Sequence, residues 1–369
     1  MQHIPKIVIT GGPCGGKSTA LSKIEKHFSM IGYRVVFVNE TATEMILNGA
    51  APWVGTNANF QQALLGLQTF KENIYSSWAR GLGEEKVLLV CDRGALDNKA
   101  YMTREDFVAA VKSVHTNEIE LRDNYDAVFH LVTAANGAAE FYTTENNQAR
   151  TETVEQAIEL DNKLIAAWTG HPHFRVIDNS TDFEVKINRL LSEIASFLGE
   201  PEPMEIERKY LIDMPDLSML ESLPNCTTVE IIQTYLCSGS PEIEVRVRQR
   251  GKDGHFIFVE TTKRRLSNIK RVETERRLSK DEYLALLMNV DTTLKQIRKT
   301  RYCLSHGNFY LEIDVFPFWQ KTALLEVELA DERQEIFLPN FIKVAREVTD
   351  DLNYTNHSIA SVVPQGLGE

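Results

Sequence analysis

Over the first 200 residues, short β-branched runs alternate with stretches of helical period. Strands are predicted at Lys6–Thr10, Arg34–Asn39, Val87–Cys91, Ala127–Thr133 and Phe174–Ile177. Between them, Leu21, Ile24 and Phe28 share one helical face, with Gly32 as a stop. Phe60, Leu64, Leu67, Ile74 and Trp78 share a second face. Phe183, Ile187, Leu190, Leu191, Ile194, Phe197 and Leu198 form a third, ended by Gly199. Alternating β and α elements predict a parallel sheet covered on both faces.

The segment Gly199-Glu-Pro-Glu-Pro-Met204 breaks this pattern, because two closely spaced prolines enforce an extended connection. It predicts a first domain over residues 1–199, a linker over 200–204 and a second domain over 205–369. Beyond it the period changes to two, in many short strands, which predicts a barrel or a sandwich. A chain of 369 residues, 43% of them hydrophobic, is long enough for two cores.

A net charge of -12 disfavours nucleic acid as the ligand unless a local basic patch exists. The five cysteines, Cys14, Cys91, Cys226, Cys237 and Cys303, are odd in number and have no CxxC spacing. Reduced thiols in the cytoplasm fit that usage. No charged leader precedes a long apolar run, so neither a signal peptide nor a transmembrane span is expected.

Gly11-Gly12-Pro13-Cys14-Gly15-Gly16-Lys17-Ser18-Thr19 matches GxxxxGK[ST], following a strand and opening a helix as that motif requires. Glycines let backbone N–H groups close around phosphate oxygens, Lys17 supplies charge at the β/γ-phosphates, and Ser18 can bind Mg²⁺. Val87–Cys91 is an apolar strand ending in Asp92 and Arg93, where P-loop proteins keep a second metal-orienting carboxylate. Glu40, at the end of the second strand, has two readings: a substrate-binding or base carboxylate, or a charge at a helix N-terminus. Arg150, in Asn-Gln-Ala-Arg-Thr-Glu152, is either a lid arginine that closes on phosphate or a surface arginine.

These segments, with Val-Ile-Asp-Asn-Ser180, resemble the AAA-type P-loop domains of the AAA_28 group. That group is similar to the kinase half of bacterial nicotinamide-nucleotide proteins. The resemblance covers about residues 5–198 and implies a kinase-like fold.

In the second half, charges alternate. Glu205, Glu207 and Lys209 fall on one face of a strand, as do Arg246, Arg248 and Arg250, and Arg271, Glu273, Glu275 and Arg277. Lys299 pairs with Arg301, Glu312 with Asp314, and Glu326 with Glu328, and Lys263 closes another strand. A solvated sheet face is the plain reading. Against it, the intervening residues are apolar and the signs are partly segregated by strand, whereas solvated faces mix them. A closed barrel with a charged interior fits better, its bases gripping polyphosphate and its acids holding divalent cations.

The ordered set ExExK, RxR, TK, RxExE, KxR, ExD and ExE resembles the CYTH superfamily of triphosphate tunnel metalloenzymes over about residues 203–363. The closing segment Glu347–Asn356 is also similar. The resemblance implies an eight-stranded antiparallel tunnel barrel. It makes Glu205, Glu207, Glu326, Glu328 and Asp314 metal candidates. It makes Lys209, Arg246, Arg248, Lys263, Arg271, Lys299 and Arg301 phosphate-binding and catalytic candidates. One departure stands out: Val315-Phe-Pro-Phe-Trp-Gln-Lys-Thr322 lacks the glycine that family members commonly carry after the ExD strand.

Together the two halves resemble AAA–CYTH fusion proteins. The expected function is ATP or GTP binding joined to a Mg²⁺- or Mn²⁺-dependent hydrolase of triphosphates or short polyphosphates. Two other readings stand beside it. One is a nucleotide-switched protein whose tunnel holds a phosphorylated small molecule or a phosphoinositide headgroup without turnover. The other is a small-molecule kinase with a polyphosphate-sensing barrel.

Overall fold

A computed structural model describes residues 3–138, 153–200, 207–240, 243–265, 271–307, 309–329 and 334–367, with the side chains of 264, 265 and 271–273 outside the description. The chain divides into two compact units, Met1–Leu198 and Gly199–Glu369.

In the first unit the elements run β1 (Lys6–Thr10), α1 (Lys17–Met30), β2 (Arg34–Val38), α2 (Thr41–Leu47), α3 (Asn57–Arg80), β3 (Val87–Asp92), α4 (Arg104–Ser113), α5 (Glu118–Arg122), β4 (Ala127–Leu131), α6 (Val154–Trp168), β5 (Phe174–Ile177) and α7 (Phe183–Leu198). The five strands form a parallel sheet in the order β2-β3-β1-β4-β5. All five predicted strands are present, with ends shifted by two residues at most. Ile7, Ile9, Val90, Phe129 and Leu131 pack with Ile24 and Phe28 of α1 and Ile187, Leu190 and Ile194 of α7. Because β1 lies between β3 and β4, the chain crosses the sheet in opposite senses from it. The carboxyl ends of β1 and β3 therefore flank the crevice where such sheets bind ligands.

Helix α3 departs from its predicted pattern beyond Leu64. Phe60 and Leu64 are buried as expected, but Leu67, Ile74 and Trp78 are exposed while Gln68 and Glu72 are buried. Polar partners explain the reversal. Glu72 accepts from the Tyr125 hydroxyl at 2.9 Å and pairs with Lys6, and Gln68 bonds the Arg93 carbonyl and Asn98. A buried polar group that is hydrogen-bonded loses little by leaving water.

In the second unit the elements are β6 (Glu207–Asp213), α8 (Leu217–Ser222), β7 (Cys226–Leu236), β8 (Ile243–Lys252), β9 (His255–Arg265), β10 (Arg271–Leu278), α9 (Lys280–Leu286), β11 (Ile297–His306), β12 (Phe309–Val315), β13 (Thr322–Glu328), β14 (Val344–Glu347) and α10 (Asn356–Ser361). Nine strands form one antiparallel sheet in the order β10-β9-β8-β7-β11-β12-β13-β6-β14. The expected count was eight. The described sheet has the four-residue β14 added beside β6 through an irregular register, and β10 and β14 are its edges. The opening strand of the unit pairs directly with a late one, β6 with β13.

One face of this sheet is apolar. Ile212, Tyr302, Leu304, Ile313, Leu325 and Val327 pack there with Leu220 of α8. Strand alternation sends their neighbours in sequence to the opposite face, which carries the charges.

Candidate functional sites

The P-loop fills the turn between β1 and α1. Gly11, at φ 142°, has backbone close to the carbonyl of Leu131, where an added Cβ would lie 2.1 Å from that oxygen. Gly16, at φ 91°, enters α1 from the left-handed region. Only glycine adopts both conformations without strain. The Lys17 ammonium folds back over the loop and donates to the carbonyls of Gly11 at 3.0 Å and Gly12 at 3.3 Å. Burial, reinforced by the positive charge of Arg93, pushes Lys17 down to about 8. A phosphate entering the loop would offer that ammonium a better partner than two neutral carbonyls. Ser18 and Thr19 stand exposed on the first turn of α1, and Cys14 sits at positive φ within the loop.

Asp92 ends β3, paired in register with Ile9 of β1, so it lies beside the loop. Its Oδ1 is buried with no hydrogen-bond partner. Burial and the nearby Glu40 carboxylate raise Asp92 to about 6. An unpartnered carboxylate oxygen at the end of β3 is the kind of ligand a divalent cation takes. Arg93, at φ 68°, turns its guanidinium to Glu40 and also reaches the Gly11 carbonyl at 3.4 Å and Asp97 at 3.5 Å. Burial opposes ionisation of Glu40, but Arg93, the Thr43 hydroxyl and Lys17 together hold it down at about 2. Glu40 also precedes α2, yet its carboxylate is committed to Arg93 and Thr43. Arg150 lies outside the described residues.

Three groups missed by the sequence reading support the loop from below. Asp161 of α6 accepts the Gly12 N–H at 2.7 Å and the Thr133 N–H at 3.3 Å, and meets His130 Nε2 at 2.9 Å, all through one buried oxygen. Lys186 of α7 donates to the carbonyls of Gly15 at 3.2 Å and Val132 at 2.7 Å and to Asn179 Oδ1 at 2.7 Å. Asp97 accepts from Thr10 at 2.7 Å and from the Trp168 indole at 2.6 Å. The Pro13 carbonyl accepts the Thr133 hydroxyl. None of these residues belongs to a contiguous motif, because their contacts to the loop itself run across 149 positions for Asp161 and 171 for Lys186 and leave no local spacing to read. A charged residue inside the apolar period of α7 was the one available signal for Lys186.

In the second unit, the register gathers the predicted charge ladder on one face. Glu207 lies opposite Glu328, and Lys209 opposite Glu326. Glu326 lies opposite Glu312, and Arg301 opposite Asp314. Farther along, Gln233 of β7 lies opposite Arg248 and Ile231 opposite Arg250, which places Arg246 on the same face. In backbone register Lys263 lies opposite Glu244 on one side and Glu273 on the other. Glu205 and the side chain of Arg271 lie outside the described residues.

The bases at the β6–β11 end are engaged by acids. Arg301 holds Asp314 through both carboxylate oxygens at 2.7 Å, and also Glu312 and Glu326. Lys299 pairs with Asp314, and Lys209 bridges Glu207 at 3.0 Å and Glu326 at 3.2 Å. Burial works against ionisation of Glu326, but Arg301, Lys209 and Lys299 hold it well below the usual carboxylate range. Toward β10, Arg248 meets Glu275 and the Thr261 hydroxyl. Among the described residues no group of three or more His, Cys, Asp or Glu is arranged to hold a metal ion. No helix among the described residues is long and apolar enough to cross a membrane.

No curated protein matches the chain. Among solved structures, the inorganic triphosphatase NE1496 is similar at 27% identity and a TM-score of 0.32, over 44% of this chain and 97% of its own. A second structure of NE1496, described as a hypothetical protein, gives 28% identity over 44% of this chain and 100% of its own, at a TM-score of 0.32. The PH1012 protein from Pyrococcus horikoshii OT3 gives 19% identity and a TM-score of 0.26, over 35% of this chain and 81% of its own. Residues 6–186 match the family described as AAA domain, a match in keeping with the P-loop and the five-stranded parallel sheet of the first unit.

Proposed function

We propose that this protein binds phosphate at two separate places, as AAA–CYTH fusion proteins do. The first unit takes ATP or GTP on the P-loop, with Mg²⁺ held by Ser18 and Asp92. The second takes a triphosphate or short linear polyphosphate along its charged sheet face and hydrolyses it. The observation that carries the second half is the register: every predicted charged position whose side chain is described falls on one face of one sheet.

In the first unit, backbone N–H groups and Lys17 grip the β- and γ-phosphates, and Asp161 and Lys186 hold the loop in shape beneath them. A bound cation would supply charge neutralisation at the same oxygens. In the second unit Arg246, Arg248 and Lys263 meet phosphoryl oxygens and stabilise charge that grows on them. Glu207 and Glu328, with Glu205, would hold Mg²⁺ or Mn²⁺.

One observation favours binding without turnover. Lys209, Lys299 and Arg301 are already committed to carboxylates, so a ligand must displace acids to use them. Phosphate release from a panel of triphosphates, with Mg²⁺ and with Mn²⁺, separates the readings in the full chain and in Lys17→Ala. Release that persists in Lys17→Ala assigns hydrolysis to the second unit. Release that disappears assigns it to the P-loop. No release from either protein, with calorimetric binding retained, establishes a binding protein.

A further inference from the structure

Helix α3 leaves an apolar stripe on the surface of the first unit. Ala63, Leu67, Phe70, Ile74 and Trp78 fall within an arc of about 80° around the helix axis. Leu67 is 36% exposed, Phe70 62%, Ile74 52% and Trp78 53%, and Ala63 is exposed with them. The packing of the helix is carried by other positions, among them Leu65, Gln68, Glu72 and Ala79, all buried. A helix face turned to water ordinarily carries charged side chains. This one carries none. Of the three charged residues in α3, Glu72 is buried and Arg80 is the last residue, where it donates to Ser77 Oγ at 3.3 Å. Lys71 lies just outside the stripe and is held by Glu44 at 2.6 Å. The other rim, Gln62, Asn73 and Ser77, is neutral.

Exposed apolar side chains that are contiguous mark interaction sites, and the order of sizes along this stripe says what fits it. The smallest side chain, Ala63, stands at one end and the largest, Trp78, at the other. Leu67 and Ile74, of equal size, lie between them on either side of Phe70. The stripe is therefore complementary to itself when reversed. A second α3 laid antiparallel sets Trp78 over Ala63 and Leu67 against Ile74, twice each, with the two Phe70 rings side by side at the centre. A twofold contact requires that kind of reciprocity. A parallel pair would instead oppose Trp78 to Trp78 and leave a gap between the two Ala63 methyls.

We propose that the exposed face of α3 is a self-association surface, occupied by α3 of a second copy of this chain in antiparallel orientation. Charge supports that occupant. Two copies with a net charge of -12 each repel at long range, so they meet at least cost where neither presents a charge. Lys71 comes near its mate at the centre of the pair, but each is already neutralised by Glu44 of its own chain. A strongly charged partner would find nothing on this face to pair with. The stripe is short beside the roughly 20–30 residues a side of a standard interface. The pair therefore forms and separates at micromolar concentration rather than as a permanent dimer.

Sedimentation velocity on the full chain, from about 1 to 500 μM, tests this with Leu67→Glu and Ile74→Lys. Both positions are exposed, so both variants are expected to fold, and circular dichroism checks that they do. Wild type is expected to dimerise in the micromolar range, more tightly as added salt screens the repulsion between the two acidic chains. Each variant alone is expected to associate at least about tenfold more weakly. An equal mixture of the two is expected to recover association. In the mixed pair the new carboxylate lies beside the new ammonium, and the other Leu67–Ile74 contact is unchanged. Wild type that stays monomeric throughout leaves the stripe to some other partner and overturns the proposal. Variants that associate like wild type place the contact away from α3 and overturn it as well. So does a mixture no stronger than its components, since only the antiparallel pair brings position 67 to position 74. Association that weakens with salt identifies an ionic contact and has the same consequence.

Discussion

Glu40 and Arg93 show how a single pair of residues ties the sheet to the loop. Glu40 ends up ionised in a place where burial alone would keep it neutral, because Arg93, Thr43 and Lys17 outweigh the desolvation. Its folded value of about 2 lies below the ordinary 4.5. The unfolded chain therefore takes up a proton first on acidification. The stabilisation from Glu40 is full above about pH 4.5 and is lost as the pH falls toward 2. Glu40→Gln should lower first-unit stability at neutral pH by about 2 kcal/mol and flatten its acid dependence in that window. Urea titrations at several pH values would show this, and an unchanged acid slope would remove Glu40 from the account. Asp161 makes the second case. One oxygen serves Gly12, Thr133 and His130, so Asp161→Ala leaves several buried polar groups unpaired, at about 1–3 kcal/mol each. Nucleotide affinity should fall with stability, since the Gly12 amide loses its anchor. Calorimetry of this variant giving wild-type affinity would show that the loop holds its shape without it.

At the scale of elements, β11 and β12 are joined by more than backbone hydrogen bonds. Arg301 is the hub, with Asp314 held through two parallel bonds and Glu312 and Glu326 on its other edges. Removing it takes a partner from three carboxylates and leaves the fully buried Asp314 to Lys299 and Glu326 to Lys209. Breaking a buried pair from one side costs about 3–5 kcal/mol. Arg301→Ala should cost the second unit that much. Arg301→Lys should recover only part of it, because a point charge cannot reproduce the planar fork. Hydrogen exchange along β11–β13 reads the effect locally. Full rescue by lysine would mean that charge alone, and not geometry, holds these strands.

For the whole molecule, each unit has hydrophobic clusters of its own, the first around Phe28 and Phe129 and the second around Leu311 and Leu325. Substitutions in separate cores that share no partner act additively. Lys17→Ala should abolish nucleotide binding while leaving exchange protection in β6–β14 unchanged. Arg301→Ala should lower protection there and leave nucleotide affinity as it was. A shift of either property by the other substitution would reveal coupling between the two sites.

The periodicities of the chain determined its element types, the break near Pro201 and Pro203, the P-loop and the charged ladder. Each of these is written in local spacing, and local spacing is governed by the geometry of one strand, one turn or one helix. Tertiary structure alone decided where the charges spend themselves. Whether Arg301 faces a ligand or three carboxylates depends on which strands lie beside β11, and no spacing along one strand carries that information. The same holds for Asp161 and Lys186 beneath the loop, and for Gln68 and Glu72, whose burial depends on partners far away in sequence. It holds also for Phe316 and Trp319. In the sequence they are only a turn without glycine, and their burial appears when Tyr354, Leu211, Leu324 and Ile297 pack with them in one cluster. Burial is a property of what surrounds a residue, and the surroundings of these residues are assembled from distant parts of the chain.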